Sequence, residues 1–269
     1  MNKLIIVDGH NFLWRAYSIP FKFYSKKNTP LHVVSTYLKL LRRTVTSIYG
    51  DSLVVVFDSN TTNNNFELSK DYKANRKVFK KGEDSPYSHL PYIQKVLDFL
   101  HIHYLEIPNI EADDIIASIV NSFCKRNSDN KAYIFSSDTD FYQLLNMQTV
   151  IVKLKKGFMA GNEHEIINAR YIKNKIGIRP SQYVQFKSLT GDSADNIKGI
   201  FGVGAITAKK IVCKEINFDF RGYEQILDLN KKLITLNCDC KKVWNFKNFS
   251  YRKDVFTISN KEIFKACKF

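Results

Sequence analysis

The stretch Ile110-Glu111-Ala112-Asp113-Asp114-Ile115-Ile116 places three carboxylates within four positions, directly before an apolar pattern with helical spacing. That pattern continues to Phe123 and predicts a helix that begins at this acidic segment. One interpretation is ordinary helix chemistry, because the first turn of a helix favours negative charge. The alternative is a cation site, because like charges held close together resist joint ionisation unless a cation compensates them. The choice depends on whether other segments bring carboxylates to the same place.

The segments on either side of this stretch predict an α/β fold. Short, apolar runs at residues 4–7, 53–57, 104–107 and 133–135 are typical of strands, and the runs that are wholly apolar and β-branched indicate burial on both faces. Residues 31–49 and 92–100 have apolar positions at helical spacing and separate some of these strands. Strands that alternate with helices predict a mostly parallel central sheet flanked by helices.

Aspartates follow three of the predicted strands. Asp8, Asp58 and Asp138 stand at these strand ends, and Asp140 comes two residues after the last of them. A single aspartate after a strand is commonly a turn residue or a helix cap. Ligands bind beyond the carboxyl ends of the strands in parallel sheets, however, and three aspartates at that edge are a much less common accident. With the acidic helix start they predict a carboxylate cluster.

The charge of the chain indicates a polyanionic partner. The formal net charge is +15 and the pI is near 9.5, which favours nucleic acid first and an anionic membrane surface second. Residues 71–81 are strongly basic and include Tyr72 and Phe79. A solvated loop is one interpretation of such a run. Charges interleaved with aromatic rings also suit single-stranded nucleic acid, and the neighbouring Asp58 favours this second interpretation.

A glycine-rich hairpin follows the predicted sheet. Helical patterns cover residues 166–175 and 181–189, and Gly199, Gly202 and Gly204 then lead into another helical pattern. Glycines let a backbone approach phosphate closely, and a helix N-terminus offers N–H donors to it. We therefore predict a helix-hairpin-helix module at about residues 188–213 that grips a DNA backbone without reading bases. The chain after residue 217 has no usable pattern, and we expect it to complete a small helical lobe.

Several protein classes are disfavoured. The apolar run near Met1 is too short for a signal peptide, and no stretch approaches the length of a membrane span. The five cysteines match neither a secreted disulfide framework nor paired zinc ligands. We expect a cytoplasmic protein that does not bind membranes, associated with the nucleoid if it is bacterial.

Six motifs in order carry a resemblance to a known family. They are Val7-Asp8-Gly9, Val56-Phe57-Asp58, Tyr72-Lys73-Ala74-x-Arg76, Glu111-Ala112-Asp113-Asp114, Asp138-x-Asp140 with Gln143-Leu144, and Leu189-Thr190-Gly191-Asp192-x-x-Asp195-Asn196. Over about residues 4–211 the chain resembles the 5′-nuclease domain of bacterial DNA polymerase I, the phage 5′ nucleases and the flap endonucleases. The resemblance implies a PIN-like catalytic domain at residues 1–160 with a helical arch at about 66–92, and a helical lobe at 161–269. No polymerase domain follows, so we expect a stand-alone member.

The resemblance also implies the site residues. Metal-binding carboxylates carry over to nine positions: Asp8, Asp58, Glu111, Asp113, Asp114, Asp138, Asp140, Asp192 and Asp195. Asp8, Asp58, Asp113 and Asp138 are expected to act in catalysis together with Lys73 and Arg76, which contact the scissile phosphate in the family. DNA contacts are expected at Arg15, Tyr72, Lys73, Arg76, Lys77, Lys80, Lys81, Gly202, Gly204, Thr207, Lys209 and Lys210. The chain departs from the family pattern at Thr139 and Ile206, where lysine is usual.

These residues lead to a mechanistic hypothesis. Carboxylates suit Mg²⁺, with Mn²⁺ as a substitute, and two such ions roughly 4 Å apart can drive phosphodiester hydrolysis. We expect a monomeric, Mg-dependent 5′-3′ exonuclease and flap endonuclease of replication and repair. Its substrate would be DNA with a 5′ flap, overhang or nick, and by resemblance a potassium ion could bind at the hairpin. The alternatives are a non-catalytic branched-DNA-binding protein and an aspartyl phosphatase that uses Asp138 and Asp140.

Overall fold

A six-stranded sheet organises the fold, in the strand order β3-β2-β1-β4-β5-β6. The computed structural model describes residues 2–20, 22–25, 30–59, 68–75, 85–155, 164–240 and 243–269. The neighbouring strands pair in parallel except β5 and β6, which are antiparallel. The strands are β1 Lys3–Asp8, β2 Ser52–Phe57, β3 Tyr104–Glu106, β4 Lys131–Phe135, β5 Thr149–Leu154 and β6 His164–Ile167.

Helices cover both faces of this sheet. Leu4 and Ile6 of β1 belong to one apolar cluster with residues of the helix Ala112–Arg126 (α4). Ile5 and Val7 point to the other face and join a cluster with residues of Gly9–Tyr17 (α1), Leu31–Ile48 (α2) and Leu90–Phe99 (α3). Alternate residues of one strand thus enter opposite cores, as expected for a strand buried on both faces. The predicted α/β fold with a mostly parallel sheet is confirmed.

The register of the strands brings their carboxyl ends together. Asp8 lies opposite Val56 of β2, and Val7 lies opposite Phe135 of β4. Because β1 lies between β2 and β4, the residues that follow all three strands emerge at the same edge. This edge therefore positions Asp8, Asp58 and the segment that leads to Asp138.

The helical lobe contains the predicted helix-hairpin-helix. Its elements are α5 Ala169–Lys175, α6 Tyr183–Thr190, the short strands β7 Gly191–Asp192 and β8 Ile197–Lys198, α7 Ala205–Val212 and α8 Glu224–Ile234. The helix predicted at residues 166–175 begins only at Ala169, because Ile166 and Ile167 pair with β5. None of the helices among the described residues has the length and apolar character to cross a bilayer.

The Gln143 side chain joins the sheet domain to this lobe. Its Nε2 donates to the carbonyl oxygens of Asp140 (2.9 Å) and Ile234 (3.0 Å). Its Oε1 accepts the backbone N–H of Leu236 at 3.0 Å. One amide thus holds the end of α8 against the segment that carries Asp140.

The end of the chain returns to the sheet domain. The hydroxyl of Tyr251 donates to the carbonyl of Gly50 at 3.0 Å, and Arg42 donates to Oδ1 of Asn260 at 2.5 Å. Ile263 of the last helix, Asn260–Ala266 (α9), is fully buried in the cluster that contains α1, α2 and α3. The division into residues 1–160 and 161–269 stays a prediction, but β6 and α9 both pack with the first of these parts.

Candidate active site

Asp8 is fixed between β1 and α1. It ends the strand and caps the helix, and its Oδ1 accepts the backbone N–H of Asn11 at 2.9 Å. Its Oδ2 accepts the hydroxyl of Ser136, which follows β4, at 2.7 Å. Burial, together with the charges of Asp58 and Asp138, raises the pKa of Asp8 to about 6. The site therefore destabilises the charged form of this carboxylate.

Asp58 joins the end of β2 to the acidic helix start. Its Oδ1 accepts the backbone N–H of Ala112, the first residue of α4, at 2.8 Å. Nδ1 of His10 lies 3.4 Å from Oδ2 of Asp58. Burial alone would raise the pKa of Asp58, but His10, the Ala112 N–H and the charge of Lys73 lower it to about 2. Asp58 is thus ionised while Asp8 resists ionisation.

The acidic helix start directs its carboxylates to different partners. Glu111 precedes α4 and pairs through Oε1 with Nζ of Lys73 at 2.7 Å, while its Oε2 accepts the hydroxyl of Tyr72 at 3.2 Å. Burial and the charges of Asp138 and Asp8 raise the pKa of Asp113 well above its ordinary value. Oδ1 of Asp114, the residue after Asp113, accepts the backbone N–H of Asn237 at 2.8 Å.

A second group of acidic residues comes from the segments that follow β4 and α6: Asp140, Asp192 and Asp195. The backbone N–H of Asp140 donates to Oδ1 of Asp138 at 2.9 Å. Lys187 of α6 pairs with Asp192, and its Nζ lies 3.7 Å from Oδ1 of Asp140. Burial and the charge of Asp138 raise the pKa of Asp140 to about 7, with smaller effects from Asp192 and Asp195. Burial raises the pKa of Asp138 above its ordinary value, and the charge of Asp195 adds to this effect.

A cleft of about 340 Å³ opens at this edge of the sheet. Four predicted metal ligands line it together with Lys73: Asp8, Asp58, Asp113 and Asp138. Its other walls are polar or aromatic side chains that the sequence interpretation did not single out: His10, Asn11, Trp14 and Tyr87. The ring centroid of Tyr87 lies 6.2 Å from that of Trp14 and 5.5 Å from that of His10. Half-exposed rings of this kind can stack on nucleobases.

The donor set fits a hard divalent cation. Buried carboxylates with raised pKa values favour an added positive charge, and Oδ1 of Asp140 is buried without a hydrogen-bond partner among the described residues. Lys73 and Lys187 already compensate Glu111 and Asp192. In the described part of the chain no three metal-ligating side chains converge closely enough to hold an ion as they stand.

The predicted DNA-contacting residues fall in three places. Tyr72 and Lys73 lie beside the carboxylates, whereas Arg76, Lys77, Lys80 and Lys81 lie outside the described residues, as does all of residues 76–84 of the expected arch. The Arg15 guanidinium donates to the carbonyl of Lys155 at 2.5 Å. The remaining residues lie on the helix-hairpin-helix of the lobe: Gly202, Gly204, Thr207, Lys209 and Lys210.

Comparison with known proteins identifies the family. The family model described as "5'-3' exonuclease, N-terminal resolvase-like domain" matches residues 3–177. The chain belongs to this family. A 5'-3' exonuclease of Aquifex aeolicus is 29% identical over 252 residues, which cover 89% of this chain and 83% of the relative. A 5'-3' exonuclease of Mycoplasmopsis pulmonis is 29% identical over 229 residues, covering 84% and 69%.

Other members of the family are parts of longer proteins. The DNA polymerase I of Caldicellulosiruptor bescii is 28% identical over 253 residues, and the chain spans 29% of its length. The chain likewise spans 24% of the thermostable DNA polymerase I of Thermus aquaticus. The similarity thus concerns a minor part of each polymerase.

Solved structures support the fold. A mutant of the bacteriophage T5 5'-exonuclease superposes with a TM-score of 0.67 at 18% identity, covering 99% of this chain and 100% of that one. A bacteriophage T5 flap endonuclease in a pseudo-enzyme-product complex with DNA and metal ions also gives 0.67, at 19% identity and full coverage of both chains. The PIN-like nuclease fold expected from the motifs is confirmed.

Proposed function

We propose that this chain is a metal-dependent, structure-dependent 5′ nuclease. It hydrolyses DNA phosphodiesters at or near 5′ ends, as a 5′-3′ exonuclease and flap endonuclease, and acts in replication and repair. One observation carries the proposal: Asp8, Asp58, Asp113 and Asp138 come from separate segments and line one cleft with Lys73. A protein that only bound DNA would have no use for this concentration of negative charge where a polyanion must enter.

The cofactors in this proposal are two Mg²⁺ ions, for which Mn²⁺ can substitute. The residues that would hold them are the cleft carboxylates with Glu111 and Asp114, and the acidic group of Asp140, Asp192 and Asp195. When bound, such ions activate water and stabilise the leaving oxygen of a phosphodiester displacement. Oxygen donors and a hard divalent cation are well matched, which supports this choice.

The chain's own residues have distinct tasks. Lys73 carries a buried positive charge beside the carboxylates and would stabilise the charge that develops on the scissile phosphate. Trp14 and Tyr87 provide half-exposed rings in the cleft for an unpaired 5′ strand, whereas the buried Tyr72 would act through its hydrogen bond to Glu111. Arg15, Arg76, Lys77, Lys80 and Lys81 would add charge along that strand, in keeping with the basic composition of residues 71–81.

The lobe would hold the duplex part of the substrate. Gly202, Gly204, Thr207, Lys209 and Lys210 lie on the helix-hairpin-helix, where a bare backbone and a helix N-terminus suit phosphate. A potassium ion on the hairpin carbonyls belongs to the same proposal. We further propose that the protein acts as a monomer in the cytoplasm on flapped, overhanging or nicked DNA.

A cleavage assay tests the proposal. A 5′-labelled flap is incubated with Mg²⁺, with EDTA, and with Mg²⁺ and the Asp138→Ala variant. We expect cleavage only in the first reaction, because Asp138 lines the cleft with the other carboxylates that would hold the ions. Equal cleavage in all three would exclude a metallonuclease. Binding without cleavage in any of them would favour the branched-DNA-binding protein. Release of phosphate from a small phosphomonoester would favour the phosphatase.

A further inference from the structure

The tip of the hairpin carries two exposed apolar side chains. Phe201 is 93% exposed and Ile206 is 75% exposed, and Phe201 is the most exposed large apolar residue in the described part of the chain. Val203 N–H donates to the carbonyl of Ile200 at 3.0 Å, which closes a tight turn. Gly202 adopts a φ of +78°, so that Phe201 occupies the outer corner of this turn. The turn thus projects an aromatic ring into solvent.

Gly204, which lies beside these side chains in the sequence, has no Cβ although the described structure leaves room for one. Gly204 has a φ of −81°, which any residue adopts, and a Cβ there would meet no described atom within 4 Å. The fold does not require glycine at this position. Gly204 also precedes α7, whose first N–H groups cannot be satisfied within the helix. Both features suit the close approach of an external phosphate.

Lysines precede the turn and follow it on α7. Lys198 comes just before the turn and is exposed, and Lys210 is exposed on α7. The aliphatic stem of Lys209 occupies the space that a Cβ at Gly177 would fill, where φ is +85°. Glycine at position 177 thus lets this lysine lie on the surface of the lobe. The hairpin and α7 together thus carry cations, N–H donors and apolar groups.

Duplex DNA is the partner that matches all three features. Its phosphates fit the cations and the N–H donors, and its deoxyribose rings and minor-groove edges are the less polar surfaces next to each phosphate. We propose that Phe201 and Ile206 form an apolar contact with the deoxyribose rings and minor-groove edges that flank the phosphate bound at α7. This inference rests on the proposal that the hairpin binds the duplex.

The contact has a distinctive salt signature. Each lysine that neutralises a phosphate releases counterions, so that its loss makes affinity less dependent on salt. Apolar burial releases no counterions. Loss of Phe201 and Ile206 therefore weakens binding by the same factor at every salt concentration. This difference separates the apolar contact from the electrostatic one.

The test is a salt series of Kd values for an uncleaved duplex. The double variant Phe201→Ala, Ile206→Ala is expected to bind about ten-fold more weakly, because it removes apolar area. The slope of log Kd against log salt concentration is expected to stay unchanged. Phe201→Leu retains most of the affinity, because it keeps an apolar group at the turn. Lys209→Ala, Lys210→Ala reduces the slope. Met147→Ala is the matched control, since Met147 is 88% exposed outside the lobe and its loss leaves binding unchanged.

The outcomes separate this inference from the proposal beneath it. Wild-type affinity in the apolar double variant, with a reduced slope in the lysine variant, would overturn the apolar contact and keep the hairpin as the duplex site. No change in either variant would overturn both. A reduced slope in the apolar variant, or an equal loss in Met147→Ala, would also overturn the inference. Thermal unfolding verifies that each variant is folded, which the exposure of both residues leads us to expect.

Discussion

Lys73 is held in the site by its own backbone as well as by its side chain. Its φ of +55° lies in the left-handed region, which costs free energy for a non-glycine residue. Its backbone N–H donates to the carbonyl of Asp195 at 2.9 Å, and its Nζ pairs with Glu111. Burial would lower the pKa of Lys73, but the Glu111 carboxylate raises it above its ordinary value. Lys73 is therefore a fixed, permanent cation.

Replacement of this cation should affect the reaction more than binding. We expect Lys73→Ala to slow single-turnover cleavage of a flap by about 10²-fold or more, and to change Kd only a few-fold, since a fixed donor acts on transition-state charge. Lys125→Ala, at the exposed end of α4, should change neither quantity. Equal losses in rate and in affinity would instead make Lys73 a simple phosphate tether.

At the scale of residues, the sequence predicts the carboxylates and Lys73 of the cleft but not its other walls. Asp8, Asp58 and Asp138 were recognisable because they follow buried strands. His10, Trp14 and Tyr87 were not, since no spacing distinguishes a ring that faces a cleft from one that packs in a core. The bond from Asn237 to Asp114 was also unpredictable, because it joins residues 123 positions apart.

At the scale of elements, two glycines of the hairpin offer a matched prediction. A Cβ at Gly199 would collide with the backbone of Thr190, whereas one at Gly204 would meet open space among the described residues. We expect Gly199→Ala to lower the free energy of unfolding by about 1–3 kcal/mol through this overpacking. Gly204→Ala should leave it unchanged and weaken duplex binding.

Thermal unfolding and duplex Kd values of the two variants check this prediction. A loss of stability in Gly204→Ala would show that its glycine serves the fold. Unchanged duplex affinity in that variant would remove the argument that the bare backbone meets a phosphate.

The elements that the sequence failed to predict depend on distant partners. The sequence does not predict strand β5, and its helical pattern at residues 166–175 includes Ile166 and Ile167. Their pairing with Val152 and Ile151 makes them an edge strand instead. Helix α9 was similarly invisible, because its burial depends on α3 and the rest of a core formed by residues far away in the chain. Local periodicity contains none of this information.

At the scale of the whole molecule, the carboxylate cluster should make stability depend on pH and metal. The pKa values of Asp8 and Asp140 are about 6 and about 7, above their ordinary 3.8. Between pH 4 and 7 the native state therefore binds more protons than the unfolded state, and stability falls as pH rises. The low pKa of Asp58 acts in the opposite direction, but only below about pH 4.

We therefore expect the Tm in EDTA to be lower at pH 8 than at pH 5. Added Mg²⁺ should raise the Tm more at pH 8, because it binds the ionised carboxylates. Asp140→Asn should flatten the dependence on pH by removing one of the titrating groups. A Tm in EDTA that increases from pH 5 to pH 8, or an equal effect of Mg²⁺ at both, would contradict the proposed cation site.

The Gln143 amide has a consequence for where the chain would cut. It fastens the end of α8 to the backbone of Asp140 and so ties the lobe that carries the proposed duplex-binding hairpin to the acidic edge. A binding site and a cleavage site that are joined in this way set the length of DNA between them. Such a protein would count nucleotides from the junction, and its incision point would follow the shape of the substrate whatever bases it contained.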